Sequence, residues 1–155
     1  MNEAQQLHSK NSLRAWIQLL KTAKRIESRM NSHFVTEHAS SMSRFDVLAN
    51  LARCDDYTAT TSELSSMLLA SKGNITRLLD RMEVDGLIER DNHPADKRVS
   101  IVTMLPDGER LFKSLAADHE TWIDDLFHSL SNNELEKLNR LMEKLRVRMD
   151  ATKDN

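Results

Sequence analysis

The sequence predicts a mainly α-helical fold with one small β-hairpin, and three observations predict it. Only three Gly and two Pro interrupt 155 residues, too few breakers for a β-rich fold. Apolar residues recur at helical spacing over long stretches at both ends. Two short strand-like runs, 87–90 and 99–103, flank a turn-forming stretch. The length suits one domain, or one domain with helical extensions. Apolar residues at 39% supply a modest core, and charged residues at 30% suit long solvated helices.

The first helix is expected over 10–38, where Leu13, Ile17, Leu20, Ala23, Ile26, Met30 and Phe34 share one face. Ser43-Arg44-Phe45-Asp46 has the form of a capping box and opens a second helix, with Phe45, Leu48, Leu51 and Ala52 as its apolar side. Cys54-Asp55-Asp56-Tyr57 is a polar connection. Thr60-Thr61-Ser62-Glu63 is a fuller capping box for a short third helix. Ser71 caps a fourth helix that runs to about Asp85, and Gly86 stands where a left-handed stop is expected. The strand runs follow, joined by Asn92-His93-Pro94-Ala95-Asp96. Pro106 begins the fifth helix at its first position, where its missing N–H costs nothing. Ser131-Asn132-Asn133-Glu134 caps the last helix, striped by Leu135, Leu138, Leu141, Leu145 and Met149. Three helices followed by a hairpin is the order of a winged helix-turn-helix.

Charge is distributed unevenly around a net −2. Residues 1–31 carry six Lys/Arg against two acids, residues 106–155 eight against eleven, and residues 71–101 six of each. A nucleic-acid reader in this chain has no basic surplus and must place its charges individually. No apolar run approaches the ~20 residues that span a bilayer. No secretory apolar core opens the chain. A single cysteine, Cys54, suits a reducing compartment. The expectation is a cytoplasmic protein without membrane contact.

The fourth helix has the character of a reading head. At 100° per residue, Ile75, Leu78, Leu79 and Met82 share one face, while Lys72, Gly73, Thr76, Arg77 and Asp80 fall roughly opposite. Lys72 and Arg77 lie in the N-terminal half, and Asp80, Glu83 and Asp85 toward the other end. A recognition helix brings its N-terminal residues to the base edges of the major groove, with its positive dipole end toward phosphates. Gly73 costs helix stability, about 1 kcal/mol relative to Ala, a cost explained by close approach of backbone to DNA. Lys97 and Arg98 stand at the hairpin tip, where a cation can enter the narrow minor groove.

Phe45-Asp46-Val47-Leu48, Thr61-Ser62-Glu63-Leu64, the run from Ser71 to Glu83, Gly86-Leu87-Ile88-Glu89-Arg90 and Asp96-Lys97-Arg98 resemble the MarR family. The resemblance covers about 13–148. It implies a bacterial or archaeal homodimeric repressor, a single domain over 1–155. Its winged lobe would lie over about 43–104, between dimerisation helices at about 10–38 and 106–153. It places the DNA contacts at Thr61, Ser71, Lys72, Gly73, Asn74, Thr76, Arg77, Lys97 and Arg98. The partner is double-stranded DNA, read as a near-palindromic operator. The sequence departs from the family where Met104-Leu105-Pro106-Asp107-Gly108 replaces the usual Leu-Thr step, which leaves the start of the fifth helix open.

The resemblance also implies release by a small molecule or an oxidant. His119-Glu120-Thr121-Trp122-Ile123, with Leu126-Phe127 after it, is similar to a branch that controls aromatic-acid and hydroxycinnamate catabolism. An aromatic acid or its coenzyme A thioester is the expected effector, with Trp16, Arg25 and Trp122 as candidate contacts. Trp and Phe at helical spacing are more often core, and the charges of the basic first helix otherwise form a solvated face or pair with the acidic C-terminal helices. The alternative signal is oxidation of Cys54, which stands beside Asp55 and Asp56, an unfavourable setting for a reactive thiol. The six His are scattered without metal-ligand spacing, so neither a metal nor a cofactor is expected. No nucleophile–base pairing and no phosphate-binding Gly loop argue for an enzyme.

Overall fold

The backbone places six helices and three strands among the residues described by a computed structural model: 3–68, 72–92, 96, 97 and 99–151, with side chains from residue 8 and none for 72–74. Helix α1 runs from Glu3 to His38, beginning seven residues before the predicted start, because nothing in 3–10 breaks a helix. Ala39 then takes a positive φ of 48° and the chain turns. Helix α2, Met42–Leu51, is capped by Ser41, whose side chain accepts from the Arg44 N–H. The predicted cap, Ser43, lies inside the helix. Phe45 explains the shift: with the helix begun at Met42, its ring meets Phe34 of α1 edge-on at 5.5 Å and stacks on Phe112 at 6.0 Å.

After a 3-10 turn over Asp55–Tyr57 comes a strand the sequence reading does not contain, β1, Thr58–Thr60. The Thr60 cap then opens α3, Thr61–Met67, with both halves of its capping box made. Helix α4 spans Lys72–Val84, and Gly86 at φ 69° ends the turn as expected. Strands β2, Ile88–Asn92, and β3, Ser100–Met104, pair antiparallel from Ile88↔Met104 to Asn92↔Ser100. Both sit about one residue beyond the predicted runs. β1 adds to the other edge of β3, giving the order β1-β3-β2. Pro106 begins α5, Pro106–Phe127, so the departure at 104–108 does not displace the helix start. Helix α6 is Asn132–Asp150, and Ser131 donates from its N–H and hydroxyl to Glu134 at 2.9 and 2.7 Å.

The chain divides into two compact units, Met1–Ala117 and Asp118–Asn155. The core of the first gathers Leu48 and Leu51 of α2, Leu64 of α3, Leu79 and Met82 of α4 and Val102 of β3, each fully buried. Burying each such side chain contributes about 1.5–3 kcal/mol relative to leaving it exposed. This core fixes α4 against α2, α3 and the hairpin. The second unit holds the end of α5 and α6, and no residue of α6 is buried. Among the described residues, no helix is long and apolar enough to cross a membrane.

Candidate nucleic-acid interface

Ile75, Leu79 and Met82 anchor α4 in the core, which turns Thr76, Arg77, Asp80 and Arg81 to solvent. The outward face is therefore fixed by packing. Arg77 is exposed, and its guanidinium has no hydrogen bond or ion pair among the described residues. Its carbonyl accepts from Nε of Arg81 at 3.2 Å. The carboxylates of the same segment are all occupied. Nη2 of Arg90, on β2, lies 2.7 Å from Asp80 and 2.5 Å from Glu83. The Arg90 backbone N–H donates to Glu83 at 3.1 Å. These hydrogen bonds, Glu83 first, raise the pKa of Arg90 and hold it charged. Arg44 of α2 pairs with Asp85. Lys97 is exposed in the wing turn, which closes with a Val99 N–H donating to the Asp96 carbonyl at 2.9 Å.

A cleft of about 380 Å³ opens between the start of α2 and the flank of α4. Ser41, Ser43, Arg44, Arg77 and Arg81 supply its polar wall, and Ile75 and Leu78 its apolar floor. Two guanidiniums without a carboxylate among the described residues, Arg77 and Arg81, beside an apolar floor suit an anion that carries an apolar body.

Residues 41–100 match the MarR family. Over these residues the chain is similar to the MarR family, and its fold is that of a winged helix-turn-helix. The transcriptional regulator YsmB of Bacillus subtilis is 32% identical over 90 residues, 58% of this chain and 62% of that protein. The chain thus spans less than two thirds of this relative's length. MhqR, a transcriptional regulator of the same organism, is 26% identical over 137 residues, 88% of this chain and 92% of the relative. Among solved structures, a mutant MarR from E. coli complexed with operator DNA superposes with a TM-score of 0.75 at 24% identity, over 87% of this chain and 96% of that one. Two further relatives, from B. subtilis and E. coli, bear the name repressor. All of these relatives are named as transcriptional regulators or repressors.

Within this lobe, the structure brings Thr76 and Arg77 together on the outward face of α4 and places Lys97 in the wing turn. Lys72, Gly73 and Asn74 form the first turn of α4, and their side chains lie outside the described residues, as do Ser71 and Arg98 altogether. Thr61 is half-buried, and its hydroxyl donates to the Ser100 carbonyl at 3.4 Å, tying α3 to β3. Sequence reasoning missed Arg81, although its i+4 spacing from Arg77 puts both on one face. It also missed Arg44 and Arg90 as partners of the acids, because those contacts join residues 41 and seven positions apart.

None of the candidate effector residues lines the cleft. Trp16 is 57% exposed and Arg25 is exposed, both on α1 of the first unit. Trp122 is half-buried on the part of α5 in the second unit. The Cys54 thiol is half-buried and donates to the Asn50 carbonyl at 3.3 Å. Among the described residues, no group of three or more His, Cys, Asp or Glu stands together as a metal site.

Proposed function

We propose that this protein is a sequence-specific double-stranded DNA-binding repressor that works as a homodimer. The observation that carries the reading is Arg77, exposed and without a partner among the described residues on the outward face of a helix whose other face is locked in the core. An arginine so placed is free for bidentate contact with a guanine edge. The wing, with Lys97 at its turn, supplies a second contact through charge and groove shape. A gel-shift selection on genomic fragments tests the proposal. Wild-type protein is expected to select one or a few near-palindromic fragments. Arg77→Ala should weaken those by about 1–3 kcal/mol and relax sequence preference. Lys97→Ala should weaken all fragments alike and flatten the salt dependence. Equal loss of discrimination in both variants contradicts the division of roles.

The homodimer is supported by exposed apolar rows on helices of both units. Leu13, Trp16, Ile17 and Leu20 lie open on α1, and Leu138, Leu141, Leu145 and Met149 on α6. Release from DNA is proposed to follow binding of a small organic anion with an apolar or aromatic body. The cleft between α2 and α4 favours it, since it shares Arg77 with the reading face. Titrating the DNA complex with an aromatic carboxylate is the check: dissociation that Arg81→Gln abolishes supports this signal, and indifference to such anions overturns it.

A further inference from the structure

The outward face of α4 holds a latent conflict. Arg77 and Asp80 are three residues apart, a spacing at which Asp and Arg pair on a helix surface. They do not pair. Asp80 Oδ1 stands 2.7 Å from Nη2 of Arg90, on the first wing strand. The same guanidinium takes Glu83 at 2.5 Å through Nη2 and at 2.9 Å through Nε. Its planar fork meets two carboxylates at once, which a lysine ammonium on a flexible stem does less well. The Arg90 side chain is 25% exposed, against 53% for Asp80, so the pair is anchored from the protein side. Arg77 and Arg81 are left with no carboxylate among the described residues.

We infer that Arg90 is a positioning residue for DNA recognition: by holding Asp80 and Glu83, it keeps Asp80 from capturing Arg77. The inference rests on the DNA-binding reading above. A free Asp80 would act twice against binding. It would engage the arginine that reads the bases, and its charge would face the phosphate field that the segment must approach. Residues 71–101 carry six cations and six acids, so the segment has no surplus of positive charge, and three of the acids, Asp80, Glu83 and Asp85, are held by Arg90 and Arg44. The wing strand thus contributes to reading through Arg90 without touching a base.

The test compares Arg90→Met, Asp80→Asn and the double variant with wild type on the fragment that wild type selects, each checked for folding by circular dichroism. Arg90→Met is expected to weaken specific binding about tenfold. Arg90→Met/Asp80→Asn should return to within about threefold of wild type, because the competing carboxylate is gone. A structural brace alone predicts no such rescue, so a double variant as weak as Arg90→Met overturns the inference, as does Arg90→Met binding like wild type. Asp80→Asn alone gives a second reading that does not depend on Arg90→Met folding. With Arg90 intact, it should change affinity less than about threefold, and a tenfold gain would mean that Asp80 already competes for Arg77, overturning the inference. If wild type selects no DNA, or Arg77→Ala binds as wild type does, the DNA-binding reading itself falls, a result distinct from failure of the Arg90 arm.

Discussion

At Gly108, on the first turn of α5, an added methyl group would stand 2.2 Å from the Leu87 carbonyl oxygen and 3.0 Å from Cγ of Met104. That carbonyl is not free to move, because it accepts the Leu105 N–H at 3.0 Å. Two effects oppose each other in Gly108→Ala. Helix propensity favours alanine by about 1 kcal/mol. Forcing a methyl into a closed contact costs about 1–3 kcal/mol. With backbone as the obstacle, the clash wins, and the urea midpoint should fall. Gly86 differs. Nothing lies within 4 Å of its Cβ position, but its φ is 69°. Gly86→Ala should therefore cost only the left-handed strain, about 1–2 kcal/mol, and Gly86→Asn less. If Gly108→Ala is stabilising, the close approach of α5 to Leu87 does not constrain this position.

Helix starts are set by short polar sequences, and two of them are sensitive to acid. Thr60 donates its backbone N–H and its hydroxyl to Glu63, each at 2.7 Å. These bonds hold the Glu63 carboxyl below its ordinary 4.5. Hydrogen bonds from the Ser131 hydroxyl and N–H lower Glu134 in the same way. A carboxyl lowered by folding stabilises the fold fully above 4.5, and that contribution is lost as pH falls through the lowered folded value. Glu63→Ala should therefore be less stable than wild type at pH 7, with the gap closing in acid below 4.5. Urea midpoints of both proteins across that range measure it. A gap that stays constant to low pH would mean that the charged carboxylate is not what caps α3.

For the whole molecule, the exposed apolar rows of α1 and α6 decide the expectation. Leu141, Leu145 and Met149 are 54, 55 and 66% exposed, and such contiguous rows mark an interface. Removing residues 131–155 should give aggregation or unfolding, read by light scattering and circular dichroism. A well-folded monomer after that truncation counts against the dimer. A two-fold dimer also constrains its operator. Half-sites on one face of B-DNA lie about one turn apart, ~10 bp, so inserting ~5 bp should weaken binding toward the non-specific level, ~10³-fold or more. Footprinting of spacer variants reads this directly, and indifference to the insertion would leave the two-fold model without support.

Sequence alone determined the order of the helices, the hairpin and the outward face of α4. Those depend on local chemistry: the Thr60–Glu63 and Ser131–Glu134 caps, the left-handed Gly86, Pro106 at a helix start, and the apolar period that turns Arg77 outward. The start of α2 escaped because Ser41 and Ser43 are equivalent as local signals, and only the packing of Phe45, edge-on to Phe34 and stacked on Phe112, chooses between them. Strand β1 escaped because three residues, Thr-Ala-Thr, carry no period, and their partner β3 lies some forty positions on. Charge showed the same limit. The sequence counts Asp80, Glu83 and Asp85 against Lys72 and Arg77 as a near-neutral segment. The tertiary structure decides which of those charges remain available, because Arg90 and Arg44 reach the acids only once the wing and α2 are packed beside the helix. Local propensity is written in neighbours along the chain; the electrostatics of a surface depends on neighbours in space.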